Sequence, residues 1–436
     1  MAITPTTSSK TVSVAAPASN YTGAMAMVTT LFFMWGFITC LNDILIPHLK
    51  SIFDLNYAQA MLVQFAFFSG YFLFALPSGK IIETIGYKRS MVTGLLTMAA
   101  GALLFLPAAS LASFPLFLTA LIIVAAGITL LQVSANPYVS VLGPPQTASS
   151  RLNLTQAFNS LGTTIAPYFG SLLILSSTTI GMAEVRKLAA PALQAYRLQE
   201  ASTVKFPYLL IALALVVLAV VISFYKLPMI SNVEDTEELE DSHSHTARSI
   251  WSQRHLVLGV VGIFLYVGAE VSIGSFLVNY FAQPEIGGMT EKAAALYVPY
   301  YWGGAMIGRF IGSAALQKIH AGALLGVVAL CACLLVVASM LSFGAIAMWT
   351  IMLVGFFNSV MFPSIFTLGI AGLGPLTSRG SGLLVMAIVG GAIIPYVQGL
   401  LADKIGIHHA FLLPVLCYLY IAFYGFRGSK PAAAAA

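Results

Sequence analysis

Gly79-Lys80-Ile81-Ile82-Glu83-Thr84-Ile85-Gly86-Tyr87-Lys88-Arg89 is a charged stretch lying where one long apolar run gives way to the next. In an ordinary soluble chain such a cluster would pass unnoticed. Here it stands out, because charged residues make up only 8% of the 436 positions, against about 25% in a typical soluble domain. The apolar share is 59% and the mean hydropathy is +0.91. A soluble globule could not cover its surface with so few charges. A helix crossing a bilayer needs about 20 apolar residues, and this chain holds enough of them for about twelve. Soluble enzyme, nucleic-acid binder and secreted disulfide scaffold are excluded, and the expected fold class is all-α and integral to the membrane.

Working outward from that stretch, apolar runs bounded by charges or Pro/Gly clusters fall near 24–47, 59–82, 90–110, 114–142, 152–176 and 206–228. The second set falls near 253–281, 292–315, 321–341, 345–372, 378–402 and 408–427. Between the sets lies one long acidic segment with Glu234, Asp235, Glu237, Glu238, Glu240 and Asp241, which reads as a solvated linker. The organisation is a polar tail over 1–23, a six-helix bundle over 24–228, a linker over 229–252, a second bundle over 253–427 and a short tail over 428–436. The first 20 residues lack the apolar core of a signal peptide. Cys40, Cys331, Cys333 and Cys417 all sit in apolar runs and form no disulfide framework.

Lys80, Lys88, Arg89, Arg151, Arg309, Lys318 and Arg379 fall in the short loops on one side, and Lys50, Lys292 and Lys404 on the other. The excess places the first side, with both termini, in the cytoplasm. Asn136-Pro137-Tyr138, Gly143-Pro144 and Ser149-Ser150-Arg151 are answered by Phe362-Pro363-Ser364, Gly374-Pro375 and Thr377-Ser378-Arg379, at offsets of 226, 231 and 228. A parallel repeat of half the chain gives two bundles related by an axis along the membrane normal.

The 79–89 stretch resembles the G-x-x-x-[DE]-x-x-G-x-[RK]-[RK] loop of the major facilitator superfamily. A decayed counterpart, Gly308-Arg309-Phe310-Ile311-Gly312, stands in the second half. The resemblance implies the major facilitator fold, twelve transmembrane helices in two six-helix bundles. Its glycines allow close helix approach, and its charges make a clamp that forms and breaks as the halves rock. Gly79, Glu83, Gly86, Lys88, Arg89, Arg151, Arg309 and Arg379 are therefore the expected cytoplasmic gate.

With the loop charges set aside, Asp43 in the first span and Glu270 in the seventh remain inside the membrane. A carboxylate at the bilayer centre costs about 2.5–3.5 kcal/mol on insertion scales, so it marks function. The two spans correspond between the halves, so each half brings one acid to the central cavity. Such a group can take up H⁺, because desolvation favours its neutral form, or contribute oxygens to Na⁺. Amides supply the other half of the chemistry. Gln132 and Asn136 share a helix face at i, i+4, as do Gln156 and Asn159 at i+3. Asn279, Asn358 and Gln398 follow in the second half. Neutral groups with both donors and acceptors suit a hydroxyl-covered substrate, and Tyr266, Tyr301 and Phe362 offer faces for the C–H side of a sugar ring. Interhelical polar contacts and an interfacial aromatic belt are the structural alternative. Gly304, Gly308 and Gly312 form a close-packing face. No protease, lipase or nucleotide-binding pattern occurs, and no metal or organic cofactor is expected.

Leu41-Asn42-Asp43-Ile44-Leu45-Ile46-Pro47, Ser134-Ala135-Asn136-Pro137-Tyr138, Arg151 through Ser160 and Pro363 through Ile370 resemble the fucose:H⁺ symporter family. The resemblance implies a coupling acid at Asp43, a sugar site at Gln156 and Asn159, and a second acid in the fourth span, where this chain has Gln132. Asn42 is counted with the substrate groups. The Gln132 form, together with Gly268 through Phe276, looks like the glucose/galactose transporter branch. The expected function is therefore import of a hexose by cation symport, H⁺ favoured, with Asp43 the first and Glu270 the second coupling acid. Na⁺ coupling, an N-acetylglucosamine or fucose permease, and less so a drug or metabolite exporter are the alternatives. The expected partners are a small sugar and the lipid bilayer, with no nucleic acid and a monomer as the working unit.

Overall fold

In the computed structural model the described residues are 21–53, 57–173, 188–228 and 249–430. Helix is the only regular backbone that satisfies every N–H and C=O inside lipid without closing a barrel. The chain builds α1 (Tyr21–Phe53), α2 (Tyr57–Ser110), α3 (Phe114–Val141), α4 (Ala148–Leu173), α5 (Ala190–Ser202) and α6 (Lys205–Phe224) in its first half. The second half has α7 (Arg254–Ala282), α8 (Val298–Ala315), α9 (Ala321–Met340), α10 (Gly344–Asn358) and α11 (Met361–Ile370). It ends with α12 (Thr377–Met386), α13 (Gly390–Ile405) and α14 (Leu412–Phe423). Leaving out the 13-residue α5 and counting α2 as two passes, α10 with α11 as one and α12 with α13 as one gives twelve spans.

Two expected boundaries change. The charged loop at 79–89 does not separate two helices with a coil. It is a sharp kink within α2, centred on Gly86 at φ 78° and ψ 166°, a backbone state that glycine alone adopts without strain. The stretch between the fifth and sixth spans carries α5, a helix of its own. Of the linker, residues 229–248 lie outside the described ones, as do the tails 1–20 and 431–436.

The backbone reproduces the sequence repeat. A 3₁₀ turn at Pro145–Thr147 precedes α4, and another at Gly374–Leu376 precedes α12. It also adds a relation not read from the sequence. Gly399-Leu400-Leu401-Ala402-Asp403-Lys404-Ile405-Gly406 has the same G-x-x-x-acid-x-x-G spacing as 79–86. Gly406 adopts φ 82° and ψ 151°, close to Gly86.

Packing follows the small residues. A Cβ on Gly127 of α3 would lie 2.6 Å from both the Gly94 carbonyl oxygen and the Met98 amide nitrogen of α2. Gly36 of α1 and Gly162 of α4 likewise admit each other's helices at Asn159 and Phe33. Gly308 of α8 faces the Phe356 carbonyl oxygen and Ser359 Oγ, and Gly304 faces Phe356, so the expected glycine face is where α8 meets α10. Such approach gives association by contact where lipid offers no hydrophobic drive. Phe206, Leu209, Leu213 and Val217 of α6 point outward, while Tyr208, Ile211, Leu215 and Ile222 are buried. A helix apolar all round, with one face packed and one exposed, is a lipid-facing span.

Candidate functional site

Among the described residues, the hydrogen bonds that join the two halves run from the basic-loop end of the molecule to its middle. Arg379 Nε donates to Glu83 Oε1 at 2.8 Å and Nη2 to Oε2 at 3.3 Å. Beside them a Cβ on Gly382 would lie 2.9 Å from the Ala75 carbonyl oxygen, and one on Gly79 would lie 3.0 Å from that of Ser378. Ser381 Oγ donates to the Val133 carbonyl at 2.9 Å. Ser149 and Thr367 share a hydroxyl bond of 2.5 Å, and Ser150 Oγ donates to the Ser313 carbonyl at 2.7 Å. Asn153 Nδ2 donates to the Arg309 carbonyl at 2.7 Å. The clamp expected from the charged loop is thus formed here by Glu83 and Arg379. Their side chains are 26% and 62% exposed, so the ion pair itself contributes at most about 1 kcal/mol. Close backbone apposition at Gly79 and Gly382 does more. Glu83→Gln is accordingly expected to leave initial uptake within about 5-fold of wild type, measured in reconstituted vesicles; a loss beyond about 100-fold would show that the ion pair dominates closure.

Three expected gate residues lie elsewhere. Lys88 Nζ donates to the Ser223 carbonyl of α6 at 2.8 Å, inside its own half. Arg151 caps the end of α3, donating to the carbonyls of Val139, Ser140 and Pro144 at 3.2, 2.7 and 2.9 Å. Carbonyls at a helix C-terminus are the orphan acceptors that a guanidinium satisfies. Arg309 is not in a loop. It sits within α8, six residues before that helix ends at Ala315, or about 9 Å along the axis. Its Nη1 donates to Ser160 Oγ and, at 3.4 Å, to the Gln156 carbonyl oxygen, both on α4 of the other half. Arg89 is exposed.

The amides divide into two groups. Gln132 is 3% exposed and its Nε2 donates to Tyr71 Oη at 2.9 Å. Asn159 is half-buried, and its Nδ2 donates to the Phe32 carbonyl of α1 at 2.8 Å. Gln156 is buried close by, and Arg309 binds its backbone. Gln132 thus ties α3 to α2, and Asn159 ties α4 to α1. Asn136 and Gln398 are fully buried, with neither amide atom in a hydrogen bond among the described residues. Asn279 is exposed, one turn short of its helix end.

Asn358 has a different surrounding. Its Nδ2 donates to Tyr301 Oη at 2.9 Å, its Oδ1 accepts from Tyr418 Oη at 2.8 Å, and its backbone carbonyl accepts from Tyr266 Oη at 3.2 Å. Tyr266 Oη also donates to Glu270 Oε1 at 2.7 Å, and Tyr301 Oη to the Glu270 carbonyl at 3.2 Å. The other four members of this network, Tyr266, Tyr301, Asn358 and Tyr418, are 0–1% exposed, while Glu270 itself is half-buried. Both ends of the Asn358 amide are taken, so Asn358, Tyr266 and Tyr301 form a satisfied polar network that holds the acid. Phe362 is 9% exposed and stacks on Phe366 with ring centres 6.0 Å apart. Tyr71 and Tyr418 were not among the residues singled out from the sequence; an isolated tyrosine in an apolar run carries no signal of its partner. The side chains of Asn42 and Asp43 lie outside the described residues.

A membrane chain of two six-span halves, closed at one end by a G-x-x-x-E-x-x-G kink against the other half, defines a rocking carrier. The chain belongs to the Major Facilitator Superfamily, whose family model matches residues 26–388. It is 55% identical over 411 residues to the glucose/galactose transporter of Brucella abortus, covering 94% of this chain and 95% of that one. It is 37% identical over 404 residues to the L-fucose-proton symporter of Escherichia coli, covering 92% of each. The crystal structure of the superfamily transporter FucP in the outward conformation superposes with a TM-score of 0.86 at 36% identity, over 94% of this chain and all of FucP.

Proposed function

We propose that this protein imports a hexose of the glucose/galactose type by H⁺ symport through alternating access, in a bacterial inner membrane with both termini cytoplasmic. The basic-loop end is then the cytoplasmic end. With that end closed, the arrangement is the outward-facing one, and this agrees with the likeness to outward FucP. The observation that carries the reading is Glu270, a half-buried carboxylate in a membrane helix, held by a hydrogen bond from Tyr266. The relatives' names support the sugar and the proton.

Gln132, Gln156 and Asn159 present amides to the sugar hydroxyls from the first half. Asp43 and Glu270 carry the proton, Asp43 as the first candidate. A proton descending about 100 mV releases about 2.3 kcal/mol, enough for roughly 45-fold accumulation without ATP. Asn358, Tyr266 and Tyr301 serve as supports of Glu270 more than as direct sugar ligands. The chain works as a monomer in this reading.

The test is a thermal-shift panel of glucose, galactose, fucose and N-acetylglucosamine on the purified protein. Glucose or galactose is expected to stabilise it most; stabilisation by none of the four would sink the sugar assignment. In the same assay Gln156→Ala is expected to weaken hexose affinity by about 1–3 kcal/mol, or 5- to 150-fold, because a sugar hydroxyl loses its partner. Unchanged affinity would remove Gln156 from the site.

A further inference from the structure

The end of α13, at the outer face in the reading above, carries a near copy of the 79–86 stretch. Gly399 through Gly406 repeats the G-x-x-x-acid-x-x-G spacing. Gly406, at φ 82° and ψ 151°, turns the chain as Gly86 does at φ 78° and ψ 166°. Each acid stands three residues before its glycine, in the last helical turn, where the carbonyl end of the helix dipole disfavours a negative charge. Lys404 suits that end; Asp403 does not. For Glu83 the structure supplies the reason, since Arg379 of the other half holds it. Asp403 is exposed, with no hydrogen bond or ion pair among the described residues.

The packing of α2 against the α12–α13 span indicates what Asp403 can reach. The two run antiparallel: Gly79 lies against Ser378, Gly382 against Ala75 and Gly391 against Phe68, with an added Cβ on each glycine 3.0, 2.9 and 3.0 Å from its neighbour. From Gly391 the chain runs twelve residues to Asp403, and from Phe68 it runs back eleven to Tyr57, where α2 begins. At 1.5 Å per residue both paths are about 17–18 Å long, so Asp403 stands level with the start of α2. Arg197 belongs to the same end of the first half. Its Nε donates at 3.1 Å to the Ile52 carbonyl, in the last turn of α1, the helix that leads into α2.

We propose that the outer turn of α13 is a second clamp: in the inward-facing form Asp403 closes on the outer end of α2 and meets Arg197, as Glu83 meets Arg379 here. The proposal rests on alternating access and not on which sugar or cation is carried. When the halves rock, the basic-loop end opens and the outer end shuts, and α13 comes against α2 along the register already in place. Asp403 then exchanges a helix end that repels it for the guanidinium of Arg197 and the unpaired N–H groups at the start of α2, which attract it. Inverted repeats nested within each half place one kind of element at both membrane faces. Used at opposite ends of opposite halves, the element gives each end state one exposed ion pair, so neither state is held much more firmly than the other.

The experiment measures the outer gap with spin labels at Leu111→Cys and Leu341→Cys, exposed turn positions just after α2 and α9. The full chain, with its four native cysteines replaced by alanine, is held in lipid nanodiscs. Glu83→Gln is the background, because release of the inner clamp populates the form whose outer gap is short. There Asp403→Asn is expected to lower the short-distance population about 2- to 5-fold, the span of an exposed ion pair, and Asp403→Glu to keep it. Arg197→Gln is expected to lower it likewise, and to add nothing in the Asp403→Asn protein. An unchanged or raised population with Asp403→Asn overturns the proposal. So does an equal loss with Asp403→Glu, or full additivity of the Asp403 and Arg197 changes. Should Arg197→Gln not fold, Asp403→Arg decides: like charges must lower the population further than Asp403→Asn does, and an equal or smaller loss overturns the pairing. Hexose uptake by wild type is measured alongside. The expected shifts in a protein that takes up no hexose would sink the sugar assignment and leave the clamp standing, whereas uptake without the shifts would do the reverse.

Discussion

Glu270→Gln is expected to abolish concentrative uptake while leaving sugar exchange. Under an inward proton gradient the variant should bring internal hexose only to the external concentration, where wild type reaches roughly 45-fold for each 100 mV. Counterflow of labelled hexose against unlabelled should persist at a rate within about 5-fold of wild type. The reason lies in the atoms around the carboxylate. Gln keeps an oxygen able to accept from Tyr266, so the bond of 2.7 Å and the Asn358 network behind it survive. The proton-carrying group of the second half is gone, and if both acids must load for coupling the energy of the gradient has no entry. A plain structural role predicts a different pattern: both reactions fall together and the protein loses thermal stability. The same comparison with Asp43→Asn asks whether the acid of the first half is also needed. Full gradient-driven accumulation in that variant would contradict its place as first coupling candidate.

Gly382→Leu is expected to stop transport almost completely, by about 100-fold or more, and to hold the protein open toward the cytoplasm. Its Cβ alone would lie 2.9 Å from the Ala75 carbonyl oxygen, a backbone atom that cannot turn aside. The contact belongs to the closed basic-loop end, so the added side chain acts on one state and spares the other. Overpacking costs about 1–3 kcal/mol for extra methylenes in a packed interior, and a full isobutyl group between two helix backbones exceeds that. Shifting a two-state balance by about 5.5 kcal/mol takes it from 1:99 to 99:1. The reading is a cysteine-accessibility measurement at Ser313→Cys, which is buried in the closed α4–α8 contact. Gly382→Leu should expose it to a reagent applied from inside. Protection equal to wild type, with normal transport, would mean that the halves close differently.

Much of this was legible in the sequence because lipid leaves few choices. Scarcity of charge sent the chain into the membrane, and the half-chain repeat together with the 79–89 stretch led to twelve spans in two halves. Glu83 was legible as one side of a clamp, but the partners expected for it were Lys88 and Arg89, and its pairing with Arg379 needed the fold that brings the two halves together. Other features were not legible, for physical reasons. Arg309 reads as a loop residue because Gly308 and Gly312 flank it like a turn, yet those glycines are there to let α8 lie against α10 and the first half. Arg151 and Lys88 look like gate cations, but a guanidinium or ammonium near a helix end is equally served by that end's carbonyls. Asn358 looks like a sugar ligand until its partners are seen; Tyr266, Tyr301 and Tyr418 lie far off in sequence, and helical periodicity says nothing of them. The kink shared by Gly86 and Gly406 needed dihedral angles to be noticed, since Asp403 and Gly406 sit at the opposite end of the molecule from Glu83.

The central claim is that proton descent through this chain carries a hexose inward. Purified protein in proteoliposomes, given labelled glucose or galactose under separately imposed proton and sodium gradients, tests it most directly. Accumulation above the external concentration with the proton gradient alone, abolished by a protonophore and indifferent to Na⁺, is the predicted result. Accumulation that follows only the Na⁺ gradient, or none under either, would contradict it.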